Sequence, residues 1–238
     1  MDIDGFFGGD RTSIELPSVQ RKIVKSLVRK GKKVVFVNFS GSAVALGPEA
    51  EACSAILQAW YPGQEGGTAI ADVLAGDYNP SGRLPVTFYA DDSQLPAFDD
   101  YDMAGRTYRY MKGRPLFPFG HGLSYTTFEY STPEVSSSGS SLGVVVSNTG
   151  AVDGEEVVQL YVSREDDPEG PVKALRGFRR VSVPAGQATR VDFPLDAEVF
   201  TWWNPATQKM EYMPGGYILH VGGSSADSVL RSLRVRVK

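Results

Sequence analysis

The sequence predicts two fold classes in series: an α/β segment over residues 1–89 with a mainly parallel sheet, then an all-β segment over residues 126–238. Three observations predict this. Residues 1–125 alternate helical and strand signals, the pattern of a sheet covered by helices. Residues 128–237 hold about seven strand signals separated by turn residues, the pattern of an immunoglobulin-like β-sandwich. Residues 60–87 carry glycines and prolines too densely for one regular element, with a short apolar run (Ile70, Val73, Leu74) at helical spacing between the turns.

In the first segment, Pro17 suits the first turn of a helix and Gly31 its C′ position. Between them Val19, Ile23 and Leu27, with Val24 and Val28, form one apolar face. The basic residues Arg21, Lys22, Lys25, Arg29, Lys30, Lys32 and Lys33 are assigned to the solvated face, the alternative being a polyanion site. Residues 34–39 are apolar on both faces, as a central parallel strand is. Pro48 opens a short helix, 55–61 read as a second strand, 66–75 as a helix and 84–89 as a third strand. Three strands make a thin sheet, so further strands of it are expected before Met1.

Residues 90–125 read as an ordered linker whose Tyr108, Tyr110, Phe117, Phe119 and Tyr125 bury against the neighbouring domains. Beyond it, strands are expected over 128–135, 142–147, 157–162, 177–183, 189–195, 216–221 and 230–237. Val191, Phe193 and Leu195 alternate with polar residues, as do Leu233, Val235 and Val237 with Arg234 and Arg236. Asn148-Thr149-Gly150, Pro184-Ala185-Gly186 and Pro214-Gly215-Gly216 are turns, and the serine run 136–141 is a hairpin loop.

Composition narrows the function classes. The 238 residues carry a net charge of -4 and no basic stripe, which argues against nucleic acid. No run approaches the roughly 20 apolar residues of a membrane helix. Met1 is followed by Asp2 and Asp4 rather than a basic, apolar leader. His121 and His220 lie far apart with no ligand-spaced partners, so neither a metal site nor a cofactor is expected. The lone Cys53 reads as an inert buried thiol.

Three motifs stay open on the residues alone. Asp10 and Arg11 form either a structural ion pair or a pair that positions a polar ligand; the glycines before them lack a nucleotide fingerprint. Glu65, in Gln64-Glu65-Gly66-Gly67 at a strand-to-helix turn, either caps the helix or faces a sugar. Trp202 and Trp203 either fill a core and interface or stack on sugar rings. The residues thus reach a partial α/β domain plus a β-sandwich, without a self-contained catalytic constellation.

Spaced motifs then carry a resemblance along nearly the whole chain. These are Gly9-Asp10-Arg11-Thr12 with Leu16-Pro17, the 60–87 stretch ending in Asn79-Pro80-Ser81-Gly82-Arg83-Leu84-Pro85, Tyr108-Arg109-Tyr110, the run from Pro115 through Gly120-His121-Gly122 to Tyr125, and Lys173-Ala174-Leu175-Arg176-Gly177-Phe178. The chain resembles the C-terminal portion of glycoside hydrolase family 3, the β-glucosidases and β-xylosidases. The resemblance implies a partial α/β sandwich domain and a fibronectin type III-like domain, with the family's N-terminal barrel lying outside this chain. It implies retaining hydrolysis, in which a barrel aspartate attacks and a glutamate acts as acid and base about 5 Å away. That glutamate is expected just before Met1, since residues 1–8 contain none, and Asp2 and Asp4 do not fit the pattern. Asp10, Arg11 and Glu65 are then substrate-proximal candidates, and no catalytic residue is assigned within the chain. The resemblance implies a β-linked oligosaccharide as ligand, the barrel segment as partner, and a periplasmic or secreted location. It leaves glucose or xylose open. A chain lacking that partner is expected to be inactive and to self-associate through an exposed sheet edge and apolar helix-facing surface.

Overall fold

The computed structural model describes the backbone of residues 6–7 and 10–238, with side chains from Arg11 onward. The chain forms two compact units whose segments interleave. Met1–Tyr78, Val86–Asp102 and Arg114–Phe117 make the first, and Asn79–Pro85, Met103–Gly113 and Pro118–Lys238 the second.

The first unit begins with an antiparallel pair, β1 (Phe6–Phe7) and β2 (Asp10–Arg11). Helix α1 (Ser18–Arg29) starts after Pro17, and Gly31 beyond it is left-handed at φ 71°. Strand β3 (Val35–Asn38), helix α2 (Gly47–Ala52) and strand β4 (Ala55–Gln58) follow, and β3 and β4 pair in parallel from Val35↔Ala55 to Asn38↔Gln58. Helix α3 (Gly66–Ala75) is closed by Gly76 at φ 86°, a conformation that favours glycine. Leu16, Val44 and Leu46 form the core, with Phe36, Ile56 and Leu116 packed against them.

The extended, mainly parallel sheet expected here is not supported beyond one parallel pair. Among the described residues, parallel pairing is confined to β3–β4 and an isolated Glu15↔Ala45 bridge. The third strand expected over 84–89 does not form. Pro85 has no N–H to continue a ladder, and the Leu84 N–H donates to His121 O at 2.8 Å within the second unit. Phe88 makes one antiparallel bridge to Phe117 in the first unit.

Helix α1 also turns differently from its apolar pattern. Val24 is buried, whereas Val19, Ile23 and Leu27 are exposed. Arg21, assigned by pattern to solvent, points inward instead.

In the second unit a short helix, α4 (Thr107–Tyr110), precedes ten strands. β5 (Phe128–Tyr130), β6 (Glu134–Val135), β7 (Ser141–Asn148) and β10 (Ala188–Pro194) form one antiparallel sheet around β7. β8 (Gly154–Arg164), β9 (Ala174–Val183), β13 (Gly215–Gly222) and β14 (Arg231–Val237) form the other, in the order β14-β13-β8-β9. β11 (Thr201–Asn204) and β12 (Lys209–Tyr212) make a separate hairpin. The alternating apolar residues meet in one core that includes Val144, Val158, Leu160, Phe193, Tyr217 and Leu219. The serine run closes a hairpin, with the Ser136 N–H donating to Ser141 O at 2.9 Å. The expected strand over 128–135 is split where Pro133 interrupts it, and the β11–β12 hairpin adds a pair that the turn signals do not show.

Two of the aromatic residues of 103–125 that lie in this unit meet each other. Tyr108 stacks on Phe119 at 4.4 Å between centroids, and both meet Tyr161 edge-on at 5.7 and 6.4 Å. Phe117 packs instead in the first unit, 6.2 Å from Phe88. Tyr125 departs from the expected burial and stays half exposed.

Candidate functional site

In a βαβ arrangement, ligands gather at the carboxyl ends of the parallel strands. At that edge of the first unit, β3 and β4 end in Asn38 and Gln58, paired across the register. The Asn38 amide donates to Gln58 Oε1 at 2.6 Å and to Ser40 Oγ at 3.0 Å, and Ser40 Oγ–H donates to Ser42 O at 2.8 Å. Gln58 Nε2 donates back to Ser40 Oγ at 3.1 Å. This closed amide–hydroxyl network fixes the two loops that leave the strands. The sequence offers no signal for it, because Asn38, Ser40 and Gln58 form no motif by spacing.

The loop after β4 carries the 60–67 motif. Trp60 adopts φ 56°, a left-handed conformation costly for a bulky residue and worth about 1–3 kcal/mol of strain. Packing holds it there: its ring meets the buried Phe88 edge-on at 6.2 Å. Tyr61 is left exposed, its ring against Gly41, where an added Cβ would lie 2.7 Å from Tyr61 Cε2. Pro62 leaves no room for a side chain at Gly66, whose Cβ would lie 2.6 Å from Pro62 Cγ. The glycine at 66 is therefore dictated by close approach to the rigid Pro62 ring, whereas at 41 the exposed Tyr61 ring could shift.

Glu65 occupies the N-cap position of α3, but its side chain makes no capping bond to the helix backbone. Its carboxylate accepts a long 3.5 Å bond from Thr68 Oγ1. Of the roles open to Glu65, a side-chain capping bond is not made; the carboxylate turns toward Thr68 instead. Arg11 lies elsewhere in the unit, its Nη2 donating to Glu15 O at 2.5 Å. The side chain of Asp10 lies outside the described residues. Among the described residues no recorded bond joins Arg11 to Glu65.

The charged centre of the first unit is instead Arg21. Its guanidinium grips Glu49 in two bonds of 2.9 and 3.1 Å, reaches Glu15 at 2.7 Å and donates to Ala45 O at 3.1 Å. Glu49 is only 1% exposed, so this fork neutralises a buried charge and ties α1 to α2.

Residues 4–125 match the C-terminal domain model of glycosyl hydrolase family 3, and 156–225 match a fibronectin type III-like domain. The chain belongs to glycosyl hydrolase family 3. It is 52% identical over 99% of its length to a xylan 1,4-β-xylosidase of Xylanibacter ruminicola and 38% identical over 91% to a periplasmic β-glucosidase of Salmonella typhimurium. It superposes on a solved β-glucosidase of Erythrobacter marinus with a TM-score of 0.83 at 36% identity, over 99% of this chain and 32% of that one. A β-glucosidase of Streptomyces venezuelae solved with D-glucose gives 0.85 at 35%, over 97% and 32%. The chain spans 28% and 31% of the two curated relatives.

Within this family-3 chain, the conspicuous segment 79–85 belongs to the sandwich unit. Asn79 Nδ2 donates to Asp153 O at 2.9 Å, while its Oδ1 accepts from Ser124 Oγ and the Tyr125 N–H. Arg83 pairs with Glu156 at 2.8 Å, both side chains nearly buried. Beside them, burial and then the Glu156 charge push the Tyr130 phenol up. Burial and then Arg83 push His121 down, so this imidazole is neutral at physiological pH. Gly223 keeps the space open, since a Cβ there would lie 3.0 Å from Glu156 Oε1.

His220 lies in a second polar cluster of the sandwich. Ser163 Oγ–H donates to Val172 O at 2.6 Å, so the 3.0 Å contact to His220 Nε2 needs the proton on Nε2. Nδ1 then accepts from Ser232 Oγ at 2.7 Å. Burial and then Lys173 lower the His220 pKa to about 4. A base that weak, on a serine whose proton is committed to a carbonyl, is a structural group and not a catalytic dyad.

Proposed function

We propose that this chain is the C-terminal part of a retaining exo-β-glycosidase that releases terminal β-D-glucosyl or β-D-xylosyl residues. The supporting observation is its end-to-end similarity to relatives named as β-xylosidase and β-glucosidases, at about a third of their length. In this reading one reacting carboxylate comes from the barrel and the other from the part of the α/β sandwich domain shortly before the Gly9-Asp10-Arg11 motif. The chain contributes the wall at the ends of β3 and β4, with Asp10, Arg11 and Glu65 as substrate-proximal residues. Alone it has no turnover. The periplasmic relative supports a location outside the cytoplasm.

The test uses aryl β-glucoside and aryl β-xyloside, offered to the chain alone and then with the family's N-terminal segment added as a second chain. Activity only in the mixture is the expected result. Turnover by the lone chain would overturn the assignment of the reacting groups. Polysaccharide retention with no turnover in either arm would favour a non-catalytic carbohydrate-binding module, the reading that the exposed Trp203 supports.

A further inference from the structure

The β11–β12 hairpin divides its two tryptophans between two roles. Trp202 is core: its Nε1–H donates to Asp167 at 2.7 Å, the Arg176 guanidinium lies 5.1 Å over its ring, and Tyr217 meets it edge-on. Trp203 faces the other way and is 51% exposed. Directly opposite it stands Met210, 55% exposed, and the next pair on the same face is Thr201↔Tyr212, with Tyr212 43% exposed. Side chains two apart share a face, and diagonal neighbours across a hairpin lie about 7–8 Å apart. Trp203, Met210 and Tyr212 therefore share one exposed face of the hairpin.

That face runs into a concavity. Tyr212 also lines a pocket of about 560 Å³ at the open end of the sandwich. Its lining includes the apolar Leu195, Phe200 and Val235 and the charged Asp196 and Arg236. Asp196 accepts the N–H groups of Glu198 and Val199 on Oδ1, at 3.1 and 3.3 Å, which leaves its second oxygen as an acceptor. Arg236 supplies donors from the exposed side of β14. The Tyr212 hydroxyl is fixed by its bond to Lys238 O at 2.9 Å, which holds the ring against the pocket mouth.

We propose that this face and pocket form a second carbohydrate site on the sandwich, one that takes a β-linked oligosaccharide. Pyranose rings present apolar C–H faces to aromatic planes and hydroxyls to their sides. The hairpin face offers the planes, the pocket lining an apolar rest, and Asp196 and Arg236 an acceptor and a donor fork. An extended apolar helix would want a continuous greasy groove, which the charged lining residues interrupt. The choice of β-linked sugars rests on the proposed function; the site itself does not.

Binding of xylohexaose, cellohexaose and laminarihexaose to the 238-residue chain, by calorimetry and by retention on polysaccharide gels, tests this. At least one oligosaccharide is expected to bind, and Trp203→Ala to weaken it about tenfold, in line with the loss of one aromatic contact. Arg236→Ala, on an exposed edge, weakens binding with an unchanged melting temperature, so a folding defect in the first variant does not mask the result. Aryl glycoside turnover in the mixture with the N-terminal segment stays at the parent level in both variants. If the mixture shows no turnover yet Trp203 governs sugar binding, the glycosidase reading fails and this site stands. If no hexaose binds, if both variants bind as the parent does, or if Trp203→Ala only dissolves a dimer, the site is refuted.

Discussion

Arg21 lies on the helix face that its charge pattern assigns to solvent, yet it holds Glu49 and Glu15 together. The reason is visible in Glu49, a buried carboxylate that has no other cation within reach in the recorded ion pairs. Losing Arg21 would strand that charge, whereas losing Glu49 leaves Arg21 still paired to Glu15. Arg21→Ala is therefore expected to cost about 3 kcal/mol in urea unfolding and Glu49→Ala less. Arg21→Lys should recover only part, since an ammonium cannot reproduce the fork. Equal losses for the three variants would show that the pair carries no special weight. His220 gives a residue-scale prediction in pH. Its folded pKa near 4 lies below the ordinary 6.5. The unfolded chain thus binds a proton first, so the contribution is fully present above pH 6.5 and is lost as pH falls from 6.5 toward 4. The span is on the order of 3 kcal/mol. His220→Gln keeps a donor and an acceptor, and its melting temperature is expected to fall less between pH 6.5 and 4.5 than the parent's. Parallel curves would contradict the assignment of a neutral imidazole.

At the level of elements, legibility followed the range of the interaction. Helix α3 is readable at both ends because its stop is local: Gly76 takes a left-handed φ that costs any other residue about 1 kcal/mol. Gly76→Ala, which meets no atom within 4 Å, should lower stability by about that amount, with circular dichroism reporting an unchanged fold. The sandwich strands are readable because alternation is local as well. The β11–β12 hairpin is not, since four-residue strands give alternation too little length to register. At the candidate site the sequence shows the glycines and Glu65, but not the Asn38–Ser40–Gln58 network, whose members are brought together only by parallel pairing. Helix α1 is half legible. Its boundaries follow from Pro17 and Gly31, but which apolar stripe is covered depends on what packs against it. Val19, Ile23 and Leu27 remain as an exposed i, i+4, i+8 stripe. Replacing all three with Gln should change the melting temperature little, since each is a surface change within about 0.5 kcal/mol. The same variant should sediment as a smaller species at high concentration. Unchanged sedimentation, or a parent that is already monomeric, would place self-association elsewhere or nowhere.

For the whole molecule, the consequence lies in where the units divide. Arg83 and Glu156 are 73 residues apart, and no local pattern announces their pairing. Yet the pair makes 79–85 part of the sandwich unit, together with the Asn79 bonds to Asp153, Ser124 and Tyr125. Tyr108 belongs there too, stacked on Phe119 and accepting from the Leu175 N–H at 3.2 Å. A chain trimmed to 126–238 keeps every sandwich strand but loses Arg83, Tyr108 and Phe119. Glu156 is then a buried carboxylate without its cation, a loss of about 3–5 kcal/mol. Such a piece should therefore unfold at markedly lower urea than the sandwich does within the intact chain. Trimming also removes aromatic burial, so the ion pair needs its own test. In the intact chain, Arg83→Met should destabilise the sandwich by a comparable amount, and adding Glu156→Gln should restore most of it by removing the stranded charge. A double variant no better than Arg83→Met would mean that the guanidinium acts through packing, and a trimmed piece as stable as the parent would detach 79–85 from the sandwich altogether.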